Sequence, residues 1–132
     1  MKPSIEALIK ALQYSWSADT CFDASEWSAD NPARGQCVVS SLVVQKYLGG
    51  GLQRYRVTGA VIAETHYCNV LGDGTILDTT ASQYKQPVAL KMEPIDLKGF
   101  ASIREKRLSD DETRSRYELL LSRVEQQLSL SA

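Results

Sequence analysis

A chain of 132 residues is long enough to form one domain whose hydrophobic core needs no disulfide or metal to hold it. Its formal net charge of -1 leaves no basic excess to neutralise phosphates, which argues against a nucleic-acid partner. No apolar run approaches the roughly 20 residues that cross a bilayer, and the first residues lack the apolar core of a signal peptide. We therefore expect a cytoplasmic protein without a membrane partner, and its three unevenly spaced cysteines are typical of reduced thiols.

The first predicted element is a helix that begins after Ser4, a suitable N-cap. Apolar residues recur at helical spacing over residues 5–12. The stretch 15–35 that follows is rich in Ser, Asp, Asn, Pro and Gly, which predicts a loop. Loops of this length are uncommon in compact domains and are often functional. We expect this loop to border the site, with Trp27 lining it as a substrate-binding residue and Trp16 packed in the core.

A second helix is predicted over residues 36–48. Apolar side chains cover most of its circumference, which is typical of a helix buried in the centre of a domain. Three glycines at residues 49–51 end it. Its first turn carries Cys37, so the pattern predicts a buried helix with a thiol at its N-terminus.

The middle of the chain predicts antiparallel strands. Residues 55–63 are rich in β-branched and aromatic side chains. Residues 65–71 and 75–79 flank a Gly-Asp-Gly turn at 72–74, which is a strong hairpin signal. The pattern over 101–108 fits another strand or an extended segment.

The chain ends in a predicted helix. Ser109 and Glu112 have the spacing of a capping box, and an apolar stripe then runs from Tyr117 to Leu128. Helices at both ends, one buried helix and an antiparallel sheet predict a single α+β domain over residues 1–132.

Three residues on separate elements predict nucleophilic catalysis. At a helix N-terminus, unpaired N–H groups and the helix dipole stabilise an anion, which favours the thiolate of Cys37. The same N–H groups, together with the Gln36 side chain, would hold an oxyanion. His66 is the single histidine, and counting from a turn centre at residue 72 places it directly opposite Asp78 on one face of the sheet. The carboxylate would then orient the imidazole toward the thiol.

Each of these residues also has a structural interpretation. A lone cysteine in an apolar helix is commonly inert, and a lone histidine commonly packs in the core. Zinc binding is a further alternative, because Cys21, Cys37, His66 and Cys68 supply suitable ligand atoms. Their spacing does not match the usual paired zinc knuckles, so we expect no metal and no cofactor.

Several short motifs together resemble the YunG-like family of small uncharacterised bacterial proteins, over most of the chain. They are Gly35-Gln36-Cys37, Ser41-Leu42-Val43-Val44-Gln45, Gly49-Gly50, His66-Tyr67-x-Asn69, Gly74 and Asp78-x-Thr80-x-x-Gln83-Tyr84. The family pattern reads His-Tyr-Trp-Asn where this chain has Cys68, which alters one wall of the pocket. We expect Tyr67 and Asn69 of this motif to bind substrate.

The order of a cysteine on a helix, a histidine on a strand and an aspartate on the next strand is similar to the transglutaminase-like and papain-like superfamily. That resemblance implies a cysteine hydrolase, amidase or acyltransferase, in which Cys37 attacks an amide or ester carbonyl and the acyl group passes to water or an amine. The expected partner is a peptide or a small amide substrate. The alternative is a non-enzymatic binding or regulatory module that keeps the same fold.

Overall fold

The computed structural model describes residues 2–58 and 64–131, which contain four α-helices and an antiparallel sheet. The helices are α1 (Ile5–Ser15), α2 (Cys37–Leu48), α3 (Ile103–Leu108) and α4 (Asp111–Ser131). The strands are β1 (Gly51–Thr58), β2 (Glu64–Val70), β3 (Ile76–Leu77) and β4 (Ala89–Met92), and they lie in the order β3-β2-β1-β4. The predicted α+β class is confirmed. None of these helices is both long enough and apolar enough to cross a bilayer.

Helix α2 lies at the centre of the core, as its apolar circumference predicts. It packs against β2 on one side and against α4 on another. Its middle residues Leu42, Val43 and Val44 are fully buried, and each buried side chain of this size stabilises the fold by about 1.5–3 kcal/mol. The helix ends at Gly49, whose φ of 74° is open to glycine and strained for other residues. This burial fixes the position of the N-terminal turn of α2.

The two terminal helices complete the core. Helix α1 begins as predicted, with the Ser4 side chain accepting a hydrogen bond from the backbone N–H of Ala7 at 3.1 Å. The predicted stripe on α4 is buried at Tyr117, Leu120 and Val124. Both helices therefore bury one face against the molecule and leave the other in water.

Helix α3 begins at Ile103, so the prediction of a strand or extended segment over residues 101–108 is wrong. The Ser102 side chain accepts a hydrogen bond from the backbone N–H of Glu105 at 3.1 Å, and the Glu105 carboxylate accepts one from the N–H of Ala101 at 3.3 Å. This Ser-x-x-Glu spacing is itself a helix-start signal. Its hydrogen bonds outweigh the extended pattern of the apolar residues.

The start of α4 also differs from the prediction. Asp110 is the residue that caps it, because its carboxylate accepts hydrogen bonds from the Thr113 backbone N–H and hydroxyl at 2.9 and 2.8 Å. The Ser109 hydroxyl instead donates to the Lys106 carbonyl at 2.6 Å, at the end of α3. The predicted capping box of Ser109 and Glu112 is therefore wrong by one residue.

The bounds of two strands also differ from the prediction. β1 begins at Gly51, four residues earlier than the predicted strand 55–63, and residues 59–63 of that prediction lie outside the described residues. β1 pairs with β2 along its whole length, with Tyr55 opposite His66. The predicted second arm of the hairpin shrinks to the two residues of β3.

The hairpin register places His66 and Asp78 on one face but not directly opposite each other. The turn is centred on Asp73 instead of residue 72, because Asn69 pairs with Leu77. Asp78 therefore lies two residues from the position opposite His66, and the predicted direct pairing is wrong by that amount. Because side chains alternate with a period of two, a two-residue shift leaves both side chains on the same face.

Candidate active site

Cys37 is the first residue of α2, and it borders a cavity of about 300 Å³. The thiol is half-buried, whereas the other two cysteines are buried. No side chain caps α2 at this end. Val38 and Val39, the next two residues of the first turn, line the same cavity. Backbone N–H groups of a first turn have no partner inside their helix, so this end of α2 favours an anion.

The side chain of Gln36 does not take the predicted part of oxyanion donor. It is fully buried and does not line the cavity. Its Nε2 donates to the Ser17 carbonyl at 3.0 Å, and its Oε1 accepts from the Thr20 hydroxyl at 2.8 Å. Gln36 therefore ties the loop before α2 to the start of the helix. The backbone N–H groups of the first turn remain as the donors available to an oxyanion.

His66 and Asp78 are in direct contact. The His66 Nε2 lies 2.8 Å from Oδ2 of Asp78, the imidazole is fully buried, and the carboxyl side chain is 20% exposed. Burial alone would lower the pKa of His66, but the hydrogen bond to Asp78, together with the nearby thiols of Cys37 and Cys68, outweighs it and raises the pKa to about 12. Burial acts to raise the pKa of Asp78, yet its hydrogen bond with His66 holds that pKa below its ordinary value. Both directions favour an imidazolium paired with a carboxylate.

The two nitrogens of the His66 ring have different neighbours. Since the Asp78 carboxylate accepts at Nε2, Nδ1 is the ring nitrogen left to exchange a proton with a thiol. The Nε2 of Gln83 lies 3.4 Å from this Nδ1. The ring of Tyr84 meets the imidazole edge-on, with 5.4 Å between the ring centres. The Tyr84 ring supports the imidazole from its edge, and the Gln83 amide nitrogen, which can only donate, hydrogen-bonds Nδ1 when that nitrogen carries no proton.

The loop over residues 15–35 borders the cavity, as predicted, through Phe22 and Arg34 among others. Trp27 does not line the cavity, contrary to the prediction, because its indole N–H donates to the Pro32 carbonyl at 3.1 Å. Trp16 is buried, as expected. The loop thus borders the cavity beside Cys37 through residues other than Trp27.

The two substrate-binding residues predicted on β2 have different surroundings. Tyr67 lines the cavity beside Cys37. Asn69 is fully buried, and its Nδ2 donates to the carbonyl of Ser41 at 2.9 Å. Asn69 therefore joins β2 to α2 and has no surface in the cavity.

Similarity to known proteins agrees with the motifs that carry this geometry. The sequence profile of the family described as YunG protein matches residues 4–129 of the chain. The chain belongs to the YunG family. The "Uncharacterized protein YunG" of Bacillus subtilis (strain 168) is 31% identical over 83 residues, which cover 63% of this chain and 65% of that protein. The chain thus spans just under two thirds of the length of this relative. No solved structure matches it.

Three residues of this YunG-family chain lie at the site although the sequence predicted no role for them. Gln83 and Tyr84 contact the imidazole, and Arg107 lines the cavity from α3. The motif that begins at Asp78 already contains Gln83 and Tyr84. Arg107 gave no signal, because its helix was predicted as an extended segment.

Cys68 lies near both the His66 imidazole and the Asp78 carboxylate, which raises the question of a metal site. His66, Cys68 and Asp78 offer ligand atoms that lie within 4.8 Å of one another. Two ligands of one tetrahedral zinc, each at about 2.0–2.1 Å, stand roughly 3.3 Å apart. The 2.8 Å between His66 and Asp78 is instead the length of a direct hydrogen bond. The set that sequence reasoning weighed for zinc, which included Cys21, is not the one that clusters.

Cys21 lies in the loop over residues 15–35 but is not exposed there. It is buried, and its sulfur lies 3.1 Å from the carbonyl oxygens of Asp23 and Arg34. Burial raises the pKa of the Cys21 thiol, and burial also raises the pKa of Cys68. Cys37 is therefore the thiol with the best access to reagents.

Gly35, two residues before Cys37, sets how closely the loop approaches the start of α2. Gly35 has a φ of 74°, and a Cβ built on it would lie 2.3 Å from the Cys21 sulfur. We expect Gly35→Ala to destabilise the YunG-family chain by roughly 2–4 kcal/mol, from backbone strain plus overpacking. Gly74→Ala is the matched control, since its φ is 87° but nothing lies within 4 Å of the added carbon. Its expected cost is about 1–2 kcal/mol. Urea unfolding followed by tryptophan fluorescence would measure both, and equal costs would contradict the close approach.

Proposed function

We propose that this chain is a cysteine-dependent acyl hydrolase or transferase of papain-like or transglutaminase-like type, acting on an amide or ester carbonyl. The single observation that carries the proposal is the 2.8 Å contact between His66 and Asp78, with the Cys37 thiol near the same imidazole. A buried imidazole held by a carboxylate next to a helix-terminal thiol is the arrangement that activates a nucleophile. A reducing compartment such as the cytoplasm suits its three unpaired thiols.

In the first half-reaction, the attacking form is a thiolate at Cys37 paired with the imidazolium of His66, whose Nδ1 holds the proton that the thiol gave up. The thiolate forms a bond to the carbonyl carbon, and the carbonyl π electrons move to oxygen. Backbone N–H groups of the first turn of α2 stabilise that oxyanion. As the oxyanion collapses, the C–N bond breaks, and the imidazolium returns its proton to the leaving amine.

In the second half-reaction, water or an amine replaces the sulfur. His66 takes a proton from the incoming nucleophile, which attacks the thioester carbon. The C–S bond then breaks, the acid or new amide leaves, and the proton on Nδ1 restores the starting pair. Asp78 keeps the ring orientation through both steps, with the second proton fixed on Nε2.

The test is selective alkylation of the three thiols, which serve as controls for one another. At pH 6.5 we expect limiting iodoacetamide to label Cys37 first, because only thiolates react and the other two thiols are buried. The expected rate at Cys37 exceeds those at Cys21 and Cys68 by at least tenfold. Peptide mapping by mass spectrometry reports all three sites in one sample. Labelling of Cys68 ahead of Cys37 would count against the proposal.

The second candidate is a binding or regulatory module without catalysis. The observation that favours it is that His66 is fully buried and does not line the cavity, so a ligand would meet Cys37 alone. A binding module predicts that the rate of Cys37 alkylation does not depend on His66. The two candidates therefore separate on the His66 variant described below.

A further inference from the structure

The cavity beside Cys37 has an unusual charge composition for so small a space. Four arginines and three carboxylates line it, which leaves one positive charge in excess. They are Arg34, Arg54, Arg107, Arg116, Asp23, Glu26 and Glu64. A volume of about 300 Å³ is at the lower limit of ligand pockets, which suits a molecule of amino-acid size.

One of these arginines is fully engaged within the protein. Arg34 lies 2.8 Å from one carboxylate oxygen of Glu64 and 2.9 Å from the other, and Glu26 adds a contact at 3.5 Å. Glu64 outweighs the effect of burial and raises the pKa of Arg34. Glu64 and Glu26, two of the three carboxylates that line the cavity, therefore neutralise Arg34.

Arg54 carries a charge that is neutralised from outside the cavity. Its partner is Glu93 at 3.0 Å, and Glu93 also pairs with Arg56 at 2.7 Å. Glu93 does not line the cavity. One carboxylate thus serves two guanidinium groups, and the field of Arg54 is only partly cancelled on the cavity side.

Arg107 has no carboxylate within 4.0 Å in the part of the chain that the structure describes. Its Nε is buried without a hydrogen-bond partner, and its guanidinium stacks over the Tyr67 ring with 5.7 Å to the ring centre. A buried donor without a partner costs about 1–3 kcal/mol, so this group is set up to receive an acceptor. Arg107, Tyr67 and Cys37 all line the same cavity.

Arg116 also lines the cavity, and it shares with Arg107 the exposed carboxylate of Asp110 as a nearby charge. Its guanidinium lies over the Phe22 ring, 5.6 Å from the ring centre. Its carboxylate partner is Glu112 at 4.0 Å, and that side chain is 87% exposed, so water screens the pair. Arginine is well suited to binding a carboxylate because its planar fork donates two parallel hydrogen bonds.

We propose that the cavity binds a small acyl substrate carrying one carboxylate, which Arg107 and Arg116 hold while the reacting carbonyl meets Cys37. The reaction in this inference rests on the proposed function, whereas the negative charge of the substrate is inferred from Arg107 and Arg116. Arg107, whose guanidinium has no carboxylate within 4.0 Å among the described residues, supplies the positive charge that would pair with the carboxylate of such a substrate. The substrate class is thus a carboxylate-bearing amide or ester of amino-acid size.

The test compares an anionic with a neutral electrophile at the same thiol. At pH 8.5 an ordinary thiol is about half thiolate, so Cys37 reacts whether or not His66 activates it. We expect the ratio of iodoacetate to iodoacetamide rates at Cys37 to exceed the ratio for free N-acetylcysteine by about tenfold. Arg107→Gln should remove most of this preference, and Arg107→Lys should keep most of it. Raising the salt to 0.5 M should shrink the preference in the unmodified chain.

Arg114→Gln is the matched control, because Arg114 lies on α4, pairs with Asp111 and does not line the cavity. It should leave the ratio unchanged. An identical ratio in the unmodified chain and in Arg107→Gln would overturn the proposal, as would a ratio no greater than that of N-acetylcysteine. The iodoacetamide rate and its dependence on His66 report on the proposed function separately. A lost preference with that dependence intact therefore sinks the carboxylate site alone.

Discussion

Replacement of His66 by glutamine is expected to slow alkylation of Cys37 by iodoacetamide at pH 6.5 by roughly 10- to 100-fold. An ordinary thiol with a pKa of about 8.5 is only about 1% thiolate at that pH, so an imidazolium partner accounts for most of the reactive form. Glutamine keeps much of the volume of the imidazole and can still donate to Asp78, but it accepts no proton from a thiol. Second-order rates from mass-spectrometric peptide mapping would measure the change.

Because His66 is fully buried, the variant needs a control for damage to β2 itself. Cys68→Ala changes a buried residue two positions along the same face of the same strand. It should alter the Cys37 rate by less than about threefold, because Cys68 contributes less than Asp78 and Cys37 to the raised pKa of His66. Near-ultraviolet circular dichroism would show that both variants stay folded. A Cys37 rate that is the same with histidine or glutamine at position 66 would move the assignment to a binding module.

The parts of the fold that sequence predicted well are those that a period or a strong turn signal defines. Helix α2 and the stripe on α4 follow from apolar periodicity. The hairpin follows from its Gly-Asp-Gly turn, and the contact between His66 and Asp78 survived a two-residue error in register. That error changed the partner but not the face, whereas a one-residue error would have separated the two side chains.

The parts that failed depend on particular hydrogen bonds, some between residues distant in sequence and some local, that residue type alone does not reveal. The side chain of Gln36 hydrogen-bonds to Ser17 and Thr20, and no local sequence pattern predicts these contacts. Trp27 was chosen as a large side chain near the site, but its indole found a carbonyl in its own loop. Arg107 reaches the cavity only because α3 folds as a helix, which a missed capping box concealed. Tertiary hydrogen bonding thus decided what residue type alone left open.

Replacement of Asp78 by asparagine is expected to reduce the free energy of unfolding by roughly 2–3 kcal/mol near pH 5.5. The removed carboxylate leaves a buried imidazole without its anionic partner, and the 20% exposure of Asp78 keeps the cost near the lower end for such pairs. Its lowered pKa means that Asp78 contributes stability above about pH 4, which is lost as pH falls through the folded-state value. The raised pKa of His66 contributes stability that is complete below about pH 6.5 and fades as pH rises toward 12.

The stability difference between the unmodified chain and Asp78→Asn should therefore be largest between about pH 4 and 6.5. It should shrink by up to about 1.4 kcal/mol per pH unit above that window. Asp73→Asn is the control in the same hairpin: this exposed carboxylate has a pKa lowered only by local hydrogen bonds at Thr75. Its effect should not change between pH 6.5 and 8.5, because it has no histidine partner. Urea titrations at pH 5.5, 7 and 8.5 would separate the two, and a difference for Asp78→Asn that stays constant over this range would show that His66 is not held as an imidazolium.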